Sequence, residues 1–466
     1  MTATPDAGLR ARVAWNLIAE PGDPTAGAVV AALGPAPALA WARWAVGVPA
    51  ADALERLRVL TRAADGGRTT PPPASPAGGR RTPPPASAAG RLASSTAGPA
   101  AARGSGAAPV QDGLWPVAWP DGLVRVLARA LPRWAPRIAD LDPERALGEL
   151  ARVGGALLVP GRPGWPRRLD DLGVQAPLCL WVRGAARLDA VAERSVAVVG
   201  ARAATTYGEH VAADLGSGLA DRGVTVVSGG AFGIDVAAHR GALAADGVTV
   251  ALLAGGIDRP SPAGNLDVLE RLADGAGALV AECPPGTVPS RSRFLQRNRL
   301  IAAVTGATVV VEAACRSGAL STAAHAGELL RPLGAVPGPV TSMASAGCHR
   351  LLRDGAAVCV TDAGEVVELL DPPDGDPAGT DGPATDRTPG RGRPRGGDPT
   401  DRADSLASRV LDALPARRGI GVEAVARRAG LSEREVGAEL GLLELAGAVR
   451  RVDGRWSVAA RVGPRR

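Results

Sequence analysis

The segment VSGGAFGIDVAAHRGAL at 227–243 contains two ionisable side chains that could do chemistry, Asp235 and His239. Residues four apart lie on one face of a helix, so this spacing is compatible with a metal site or an acid–base pair. The sequence lacks a third ligand, because His325 and His349 are isolated and neither H-E-x-x-H nor a carboxylate paired with a nucleophile is present. We therefore expect no metal and no catalytic residue here. Asp235 is predicted to brace the glycine loop through backbone N–H groups, and His239 to pack as a neutral donor.

Glycine-rich turns follow two short apolar runs, at 200–202 and at 228–233. Neither turn reads G-x-G-x-x-G and no acidic residue ends the second run, which argues against an NAD site, and the absence of G-x-x-x-x-G-K-[ST] argues against a P-loop nucleotidase. The turns still suit phosphate, since glycine permits close backbone approach and N–H groups at helix starts point outward. Small hydroxyls that could contribute are those of Thr205, Ser228, Ser317, Ser321 and Thr322. The alternative is purely structural, because folds of this kind need glycine turns after their strands.

The segment SRSRFLQRNR at 290–299 combines four arginines with Phe294. The chain has only two Phe and one Tyr, and Phe232, Phe294 and Tyr207 are all predicted to lie in the loops that follow strands. An aromatic ring among arginines is typical of a surface that stacks bases and neutralises the backbone of a single nucleic-acid strand. Two alternatives stay open: the charges form a solvated face, and the rings fill hydrophobic gaps.

From Ala156 onward, short apolar runs alternate with helix-length segments such as 208–222, 235–245 and 317–330. This alternation predicts an α/β fold with a doubly wound parallel sheet that is buried on both faces. Ligands of such sheets lie beyond the carboxyl ends of the strands, where the glycine turns fall. The runs themselves lie at 195–200, 224–230, 248–256, 277–282, 307–313 and 334–338, after two earlier ones, LLVPGRPGWP and PLCLWVRG.

Composition divides the chain into five parts. An N-terminal helical module at 1–64 and 114–153 is interrupted by a Pro/Ala/Gly-rich insertion at 65–113, which repeats TPPPAS and is predicted to be disordered. The core spans 154–370, and a charged Pro/Gly linker occupies 371–403. Three helical segments and a glycine-turned hairpin at 404–466 predict a winged-helix domain.

The overall charge and the cysteines set wider limits. A formal charge of +6, carried by arginine without any lysine, is compatible with a polyanionic partner but does not establish one. Five cysteines without a C-x-x-C pair indicate neither a disulfide framework nor a zinc site. The start of the chain lacks a basic region followed by an apolar one, and the longest apolar stretch, 300–315, contains Glu312. We expect a cytosolic protein without a membrane span.

Seven segments together resemble the DprA/Smf family of DNA-processing proteins. In the numbering of this chain they are WPRRLDDL…APLCLWVRG at 165–184, VAVVGARAATTYG at 196–208, VSGGAFGIDVAAHRGAL at 227–243, FLQRNRLIA at 294–302, VVVEAACRSGALSTAAHAGE at 309–328, AVPG at 335–338 and HRLLRDGA at 349–356. The resemblance is strong over about 155–370, weaker over the helical module and weakest over the winged helix.

The resemblance implies an extended Rossmann-like sheet, an N-terminal module of the SAM or helix-hairpin-helix kind and a C-terminal winged helix. It further implies a protein that binds single-stranded DNA, protects it, forms a homodimer through the core and loads the RecA recombinase onto the DNA, as in natural transformation. It implies no catalytic reaction and no cofactor.

Carried over by motif, the DNA site comprises Gly200, Arg202, Ser228, Gly229, Gly233, Arg291, Phe294, Arg297, Asn298 and Arg299, with Phe294 stacking a base. The hydroxyl of Thr205 and the turn of Ser317 and Gly318 complete the predicted phosphate seat, and Glu312 is predicted to brace that turn. The chain departs from the family pattern at Phe232, where lysine is frequent, so this ring either stacks a base or packs internally.

Two further hypotheses come from other classes of protein. An enzyme acting on a nucleoside monophosphate would use similar glycine loops, but the P-G-G-x-G-T…E signature of such enzymes is absent. The second of these hypotheses is a transcription regulator that binds DNA through the winged helix. Its recognition helix at 432–446 would carry four glutamates against one arginine, which suits a phosphate-lined groove poorly.

Overall fold

The computed structural model describes residues 6–66, 122–371, 406–415, 419–445, 448–452 and 454–459. The predicted insertion at 65–113 and linker at 371–403 therefore lie outside the described residues, apart from their first positions.

Within residues 6–66 and 122–152, six helices form the described part of the N-terminal module. They are α1 (Ala7–Ile18), α2 (Pro24–Leu33), α3 (Pro35–Ala45), α4 (Ala50–Gly66), α5 (Gly122–Ala139) and α6 (Pro143–Arg152). Aspartates begin three of these helices, because Asp6, Asp23 and Asp142 each accept backbone N–H groups of the first turn. The rings of Trp15 and Trp134 meet edge to face at 5.2 Å. Helices before and after the undescribed segment thus share one hydrophobic core.

A nine-stranded sheet forms the centre of the molecule. Its strands are β1 (Ala156–Leu158), β2 (Leu180–Gly184), β3 (Ser195–Val199), β4 (Thr225–Ser228), β5 (Thr249–Leu253), β6 (Ala278–Ala281), β7 (Ala307–Val310), β8 (Leu333–Ala335) and β9 (Val358–Cys359). They are arranged in the order β1-β2-β6-β5-β4-β3-β7-β8-β9. The pairs β1–β2 and β2–β6 are antiparallel, whereas the pairs from β6 to β9 are parallel.

Helices cover both faces of the sheet. They are α7 (Leu188–Glu193), α8 (Thr206–Ala220), α9 (Ile234–Ala244), α10 (Leu266–Asp274), α11 (Arg291–Val304), α12 (Ala319–Glu328), α13 (Ala346–Arg353) and α14 (Ala363–Leu370). Strand residues alternate between the two faces: Val196 and Val198 pack with α8 and α9, while Ala197 and Val199 pack in the cluster that contains α11 and α12. All five residues of β3 are buried, as the continuous apolar runs require.

The winding of the chain creates a switch point between β3 and β7. From β3 the chain adds β4, β5 and β6 on one side, and it then returns to add β7, β8 and β9 on the other. The loops that leave the carboxyl ends of β3 and β7 therefore diverge and leave a crevice between them.

The C-terminal unit contains α15 (Leu406–Ala413), α16 (Val422–Ala429), α17 (Glu433–Leu445) and an antiparallel pair, β10 (Val449–Val452) and β11 (Arg455–Val458). It has its own core, which includes Val410, Val425, Leu440 and Trp456. Ser432 and Glu435 cap α17 reciprocally, since each accepts the backbone N–H of the other.

The structure confirms the predicted fold class and differs from it in three details. The β1–β2 edge is antiparallel, β9 did not appear among the predicted strands, and residues 291–304 form a helix although Phe294 was assigned to a loop. None of the helices in the described residues is long and apolar enough to cross a membrane.

Candidate nucleic-acid interface

A cleft of about 1220 Å³ opens at the switch point. Its walls are the segment after β3 (residues 199–203), the segment after β7 (314–322) and the exposed end of α11. Among the described residues, five arginines line the cleft, namely Arg202, Arg291, Arg297, Arg316 and Arg350, against the three acids Asp235, Glu328 and Asp412. The excess of cationic side chains makes the cleft suited to a polyanion.

The predicted DNA-binding residues separate into two groups. Those that line the cleft are Gly200, Arg202, Arg291, Phe294, Arg297, Asn298, Ser317 and Gly318, and the predicted brace Asp235 lines it as well. Those that do not line it are Thr205, Ser228, Gly229, Gly233 and Arg299.

Arg297 is held by short-range contacts at the deep end of the cleft. Only 6% of the residue is exposed, and its Nη1 donates to the carbonyl oxygen of Leu252 at 2.5 Å while Nε donates to Oδ1 of Asn298 at 3.3 Å. Burial lowers the pKa of Arg297 to about 10, partly offset by the charge of Asp235, so the guanidinium remains protonated at neutral pH.

Gly229 provides the space that Arg297 occupies. A Cβ at position 229 would lie 1.9 Å from Nη1 of Arg297, which no real side chain tolerates. Gly229 does not line the cleft, and its role in the structure is to admit the guanidinium that does.

Phe294 is packed against arginine side chains within the cleft. The guanidinium carbon of Arg202 lies 4.1 Å from the centre of the ring, and that of Arg297 lies 5.8 Å from it. These distances are typical of cation–π contacts. A base that stacks on the ring face covered by Arg202 must displace this arginine, whose side chain is exposed.

Asp235 lies at the start of α9 beneath the glycine loop. Its Oδ2 accepts the backbone N–H groups of Gly229 at 3.1 Å and Ala231 at 3.5 Å. Burial raises the pKa of Asp235, and the charge of Arg297 opposes this shift. The carboxyl group thus fixes the loop and lies opposite the buried arginine of the cleft.

Glu312 braces a different loop from the one predicted. Its carboxylate accepts the backbone N–H of Thr205 at 2.9 Å and the hydroxyl of Thr205 at 2.6 Å, and among the described residues it has no hydrogen bond to the turn of Ser317 and Gly318. The hydroxyl of Thr205 also accepts the N–H of Gly208 at the start of α8, so it is already engaged. In this structure the Thr205 hydroxyl is engaged by Glu312 and Gly208, and Glu312 anchors the loop before α8 where the turn of Ser317 and Gly318 was predicted.

Arg299 is turned away from the cleft, contrary to the phosphate contact predicted for it. It is 2% exposed and forms an ion pair with Glu282, with N–O distances of 2.8 Å for both Nη1 and Nη2. Because α11 rotates by about 100° per residue, Arg299 lies on the side opposite Phe294 and Arg297.

Ser228 and Gly233 shape the loops behind the cleft. The Ser228 hydroxyl donates to the carbonyl oxygen of Val198 at 2.6 Å, and the residue is fully buried. Gly233 has a φ of +75°, and a Cβ there would lie 2.4 Å from the carbonyl oxygen of Ala201. Glycine is required at this position for both reasons, and neither residue offers a group to a ligand in the cleft.

His239 is a packed core histidine. Its Nδ1 lies 2.7 Å from Oγ1 of Thr249, whose hydroxyl donates to the carbonyl oxygen of Val226, so Nδ1 carries the proton. Burial lowers the pKa of His239 to about 3. Within the described ranges, no three His, Cys, Asp or Glu residues come together in a way that could hold a metal ion.

Phe232 and Tyr207 lie outside the cleft. Phe232 is 48% exposed, and its ring edge packs over Gly264, where a Cβ would lie 2.8 Å from Cε1. The hydroxyl of Tyr207 donates to the carbonyl oxygen of Pro337 at 2.7 Å. Neither ring lines the cleft, in contrast to Phe294.

Two cleft residues, Ser321 and Thr322, were predicted only as hydroxyls that could contribute to phosphate binding, and a third, Asp412, was not predicted at all. Ser321 and Thr322 lie in the first turn of α12, are 8% and 1% exposed, and their hydroxyls make no hydrogen bond to any part of the chain that the structure describes. The feature of the sequence that pointed to these two residues was the small hydroxyl group that each carries. Asp412 of α15 reaches the cleft and accepts the backbone N–H of Arg291 at 2.6 Å. No local pattern indicates this contact, because it depends on how the C-terminal unit docks.

Two family models match the chain. The one described as "DNA recombination-mediator protein A" covers residues 156–371, and the one described as "DprA winged helix domain" covers residues 394–455. The chain is also similar to the DprA protein of Mycobacterium tuberculosis, with 50% identity over 319 residues, which are 66% of this chain and 78% of that protein.

Solved structures show similarity as well. The X-ray structure of DNA processing protein A from Streptococcus pneumoniae has 31% identity and a TM-score of 0.47, covering 53% of this chain and 85% of that one. A structure of DNA processing protein A from Helicobacter pylori, described as concerning its single-stranded DNA binding mode, has 27% identity and a TM-score of 0.42, covering 47% and 96%.

Proposed function

This chain belongs to the DprA/Smf family of DNA-processing proteins, and from this premise we propose that it binds single-stranded DNA in the cleft at the switch point and acts as a recombination mediator. The observation that carries the proposal is the grouping of Arg297, Phe294 and Arg202 in the cleft. The proposal assigns the chain no catalytic step and no cofactor.

The three side chains supply what a single strand requires. Arg297 offers a charge held in place before DNA arrives, because two of its nitrogens are already bound to Leu252 and Asn298. Its Nη2 has no hydrogen-bond partner among the described residues and is the group that we assign to a phosphate. Phe294 offers a ring for stacking any base, so the binding is expected to be independent of sequence.

The remaining members of the site have supporting roles in this proposal. Arg202 and Arg291 meet the backbone at the mouth of the cleft, where both side chains are exposed. Ser317, Gly318 and Asn298 form the opposite wall, and the Nδ2 of Asn298 donates to the carbonyl oxygen of Gly318 at 3.2 Å. Gly200 and Gly233 allow the loops behind the cleft to pack closely, and Gly229 admits the guanidinium of Arg297.

The biological role proposed for the bound strand follows the family. We propose that the protein protects incoming single-stranded DNA, forms a homodimer through the Rossmann-like core and loads the RecA recombinase, as in natural transformation. These partners rest on family membership and not on a surface identified in the structure. Loading is measured directly as faster formation of RecA filaments on DNA coated with single-strand-binding protein.

Replacing Arg297 with alanine tests the site. We expect single-strand affinity to fall about tenfold for all sequences alike, since one charge-assisted contact is lost. The slope of log K against log salt should become shallower by about 0.7, because one fewer counterion is released. Fluorescence anisotropy with labelled oligonucleotides at several salt concentrations measures both quantities.

Arg222→Ala is the matched control, because it removes the same charge from the exposed carboxyl end of α8, at the opposite edge of the sheet. Arg202→Ala provides a second site variant at an exposed position. If both site variants bind with the affinity and salt slope of the control, the cleft is not the DNA site.

A further inference from the structure

The turn between α1 and α2 lies against the rear face of α11. The residues of α11 that line the cleft include Phe294, Arg297 and Asn298. At about 100° per residue, positions 296 and 299 lie on the opposite side of the helix, and position 293 lies on the flank between the two sides. These three positions are the ones that the turn contacts.

Glu20 of the turn binds Arg293. Oε2 of Glu20 accepts from Nε of Arg293 at 3.1 Å and Oε1 from Nη2 at 3.0 Å, which is a bidentate pair. Arg137 of α5 contacts Oε1 as well. Although burial alone would raise the pKa of Glu20, the charges of Arg293 and Arg137 outweigh it and hold the pKa well below its usual range. The carboxylate is therefore charged, and it joins two units of the chain.

Gly22 lies against Gln296 and Arg299 of α11. Its φ is +70°, and a Cβ there would lie 2.6 Å from Oε1 of Gln296 and 2.9 Å from Nε of Arg299. The N–H of Gly22 donates to Oε1 of Glu282 at 3.2 Å, and Glu282 is the ion-pair partner of Arg299. The turn thus approaches α11 as closely as backbone can.

A third contact joins α1 to Glu282, the ion-pair partner of Arg299. Asn16 of α1 donates from Nδ2 to the carbonyl oxygen of Glu282 at 2.8 Å and accepts from Nε1 of Trp181 in β2 at 2.8 Å. The same cluster reaches the C-terminal unit, since Arg137 and Arg293 donate to the carbonyl oxygens of Arg427 and Arg428 at the end of α16.

Buried ion pairs such as these contribute little net stability, because desolvation offsets their attraction. Their contacts along α11, however, oppose rotation and sliding of the helix. We propose that Glu20 and Gly22 are positioning residues that hold α11 where Phe294 and Arg297 face the cleft, so that the N-terminal module sets the affinity for single-stranded DNA. This inference rests on the proposed function of the cleft.

The test is a double-mutant cycle in the full-length protein, with Glu20→Gln and Arg297→Ala made singly and together. Affinity for a labelled single-stranded oligonucleotide is measured across a salt series. We expect Glu20→Gln alone to weaken binding several-fold and to lower the salt slope, as Arg297→Ala does. In the Arg297→Ala background, Glu20→Gln should have little further effect on affinity, because the contact between Arg297 and the DNA, which Glu20 is proposed to position, is already absent. Glu144→Gln, at an exposed ion pair of the same module, is the control and should bind normally.

The outcomes separate the two proposals. If Arg297→Ala is without effect, the proposed function fails, whatever Glu20→Gln does. If Arg297→Ala weakens binding but the two effects simply add, or Glu20→Gln leaves the salt slope unchanged, Glu20 is structural only and the inference is overturned. Should Glu20→Gln not fold, the same cycle is run with Gly22→Ala, whose Cβ would push Gln296 and Arg299; additive effects there overturn the inference equally.

Discussion

Arg297 is the residue on which the account of the cleft depends. A guanidinium that is 6% exposed is costly unless its hydrogen bonds are satisfied and an opposite charge is near. Leu252 and Asn298 accept hydrogen bonds from the guanidinium, and Asp235 is the nearby opposite charge. The cost of organising the side chain is therefore met during folding and not during DNA binding, which is the advantage of a preorganised site.

His239 gives a prediction about acid stability. Its pKa in the folded protein is about 3, against 6.5 when unfolded, so the unfolded chain binds a proton first as the pH falls. Stability should therefore decrease as the pH falls from 6.5 toward 3. This residue alone should cost about 2 kcal/mol between pH 7 and pH 5.

The measurement is chemical denaturation of the wild type and of His239→Gln at pH 7 and pH 5. Glutamine does not titrate and retains a donor for Thr249, so the variant should lose about 2 kcal/mol less than the wild type over this interval. An equal loss in both proteins would show that His239 is not held neutral by burial.

At the scale of elements, the turn after β4 and the helix α11 fit each other through Gly229. Gly229→Ala should force the guanidinium of Arg297 out of its place, because the added Cβ would lie 1.9 Å from Nη1. We expect single-strand affinity to fall about as far as in Arg297→Ala, roughly tenfold. Anisotropy titration, with the folded fraction checked by circular dichroism, measures the effect.

Gly148→Ala in α6 is the matched control, since a Cβ there meets nothing within 4 Å. It should leave DNA binding unchanged. A folded Gly229→Ala protein with wild-type affinity would mean that Arg297 need not occupy its observed position for DNA to bind.

The elements also show what the sequence alone could predict. The strands from β3 to β8 were predictable because continuous apolar runs between glycine turns are typical of buried parallel strands. The direction of β2 was not, since nothing in PLCLWVRG distinguishes an antiparallel strand, and β9 has only two residues, both exposed. The chemistry of 290–299 was recognisable, but its helix was not, so Arg297 and Arg299 were treated alike although a helix places them on different faces.

At the scale of the whole molecule, three units meet around α11. The core supplies the cleft, the N-terminal module contacts the helix through Glu20, and the C-terminal unit contacts it through Asp412 and the end of α16. Contacts of this kind depend on docking between distant parts of the chain, and no local sequence pattern indicates them. They make α11 the element through which changes in either flanking unit would reach the proposed DNA site.

The C-terminal unit itself is poorly suited to reading duplex DNA. Its helix α17 carries Glu433, Glu435, Glu439 and Glu444 against Arg434, so an approach to a phosphate-lined major groove would be repulsive. If single strands bind in the cleft as proposed, the molecule as a whole should prefer them over duplexes.

The most direct test of the central claim compares single-stranded and double-stranded DNA of equal length with the full-length protein. Anisotropy titrations with several unrelated sequences, each at a series of salt concentrations, give the affinities. The account predicts that single strands bind at least about tenfold more tightly than duplexes, alike for all sequences and progressively weaker as salt rises. Duplex binding that equals or exceeds single-strand binding, or no binding of single strands at low salt, would contradict it.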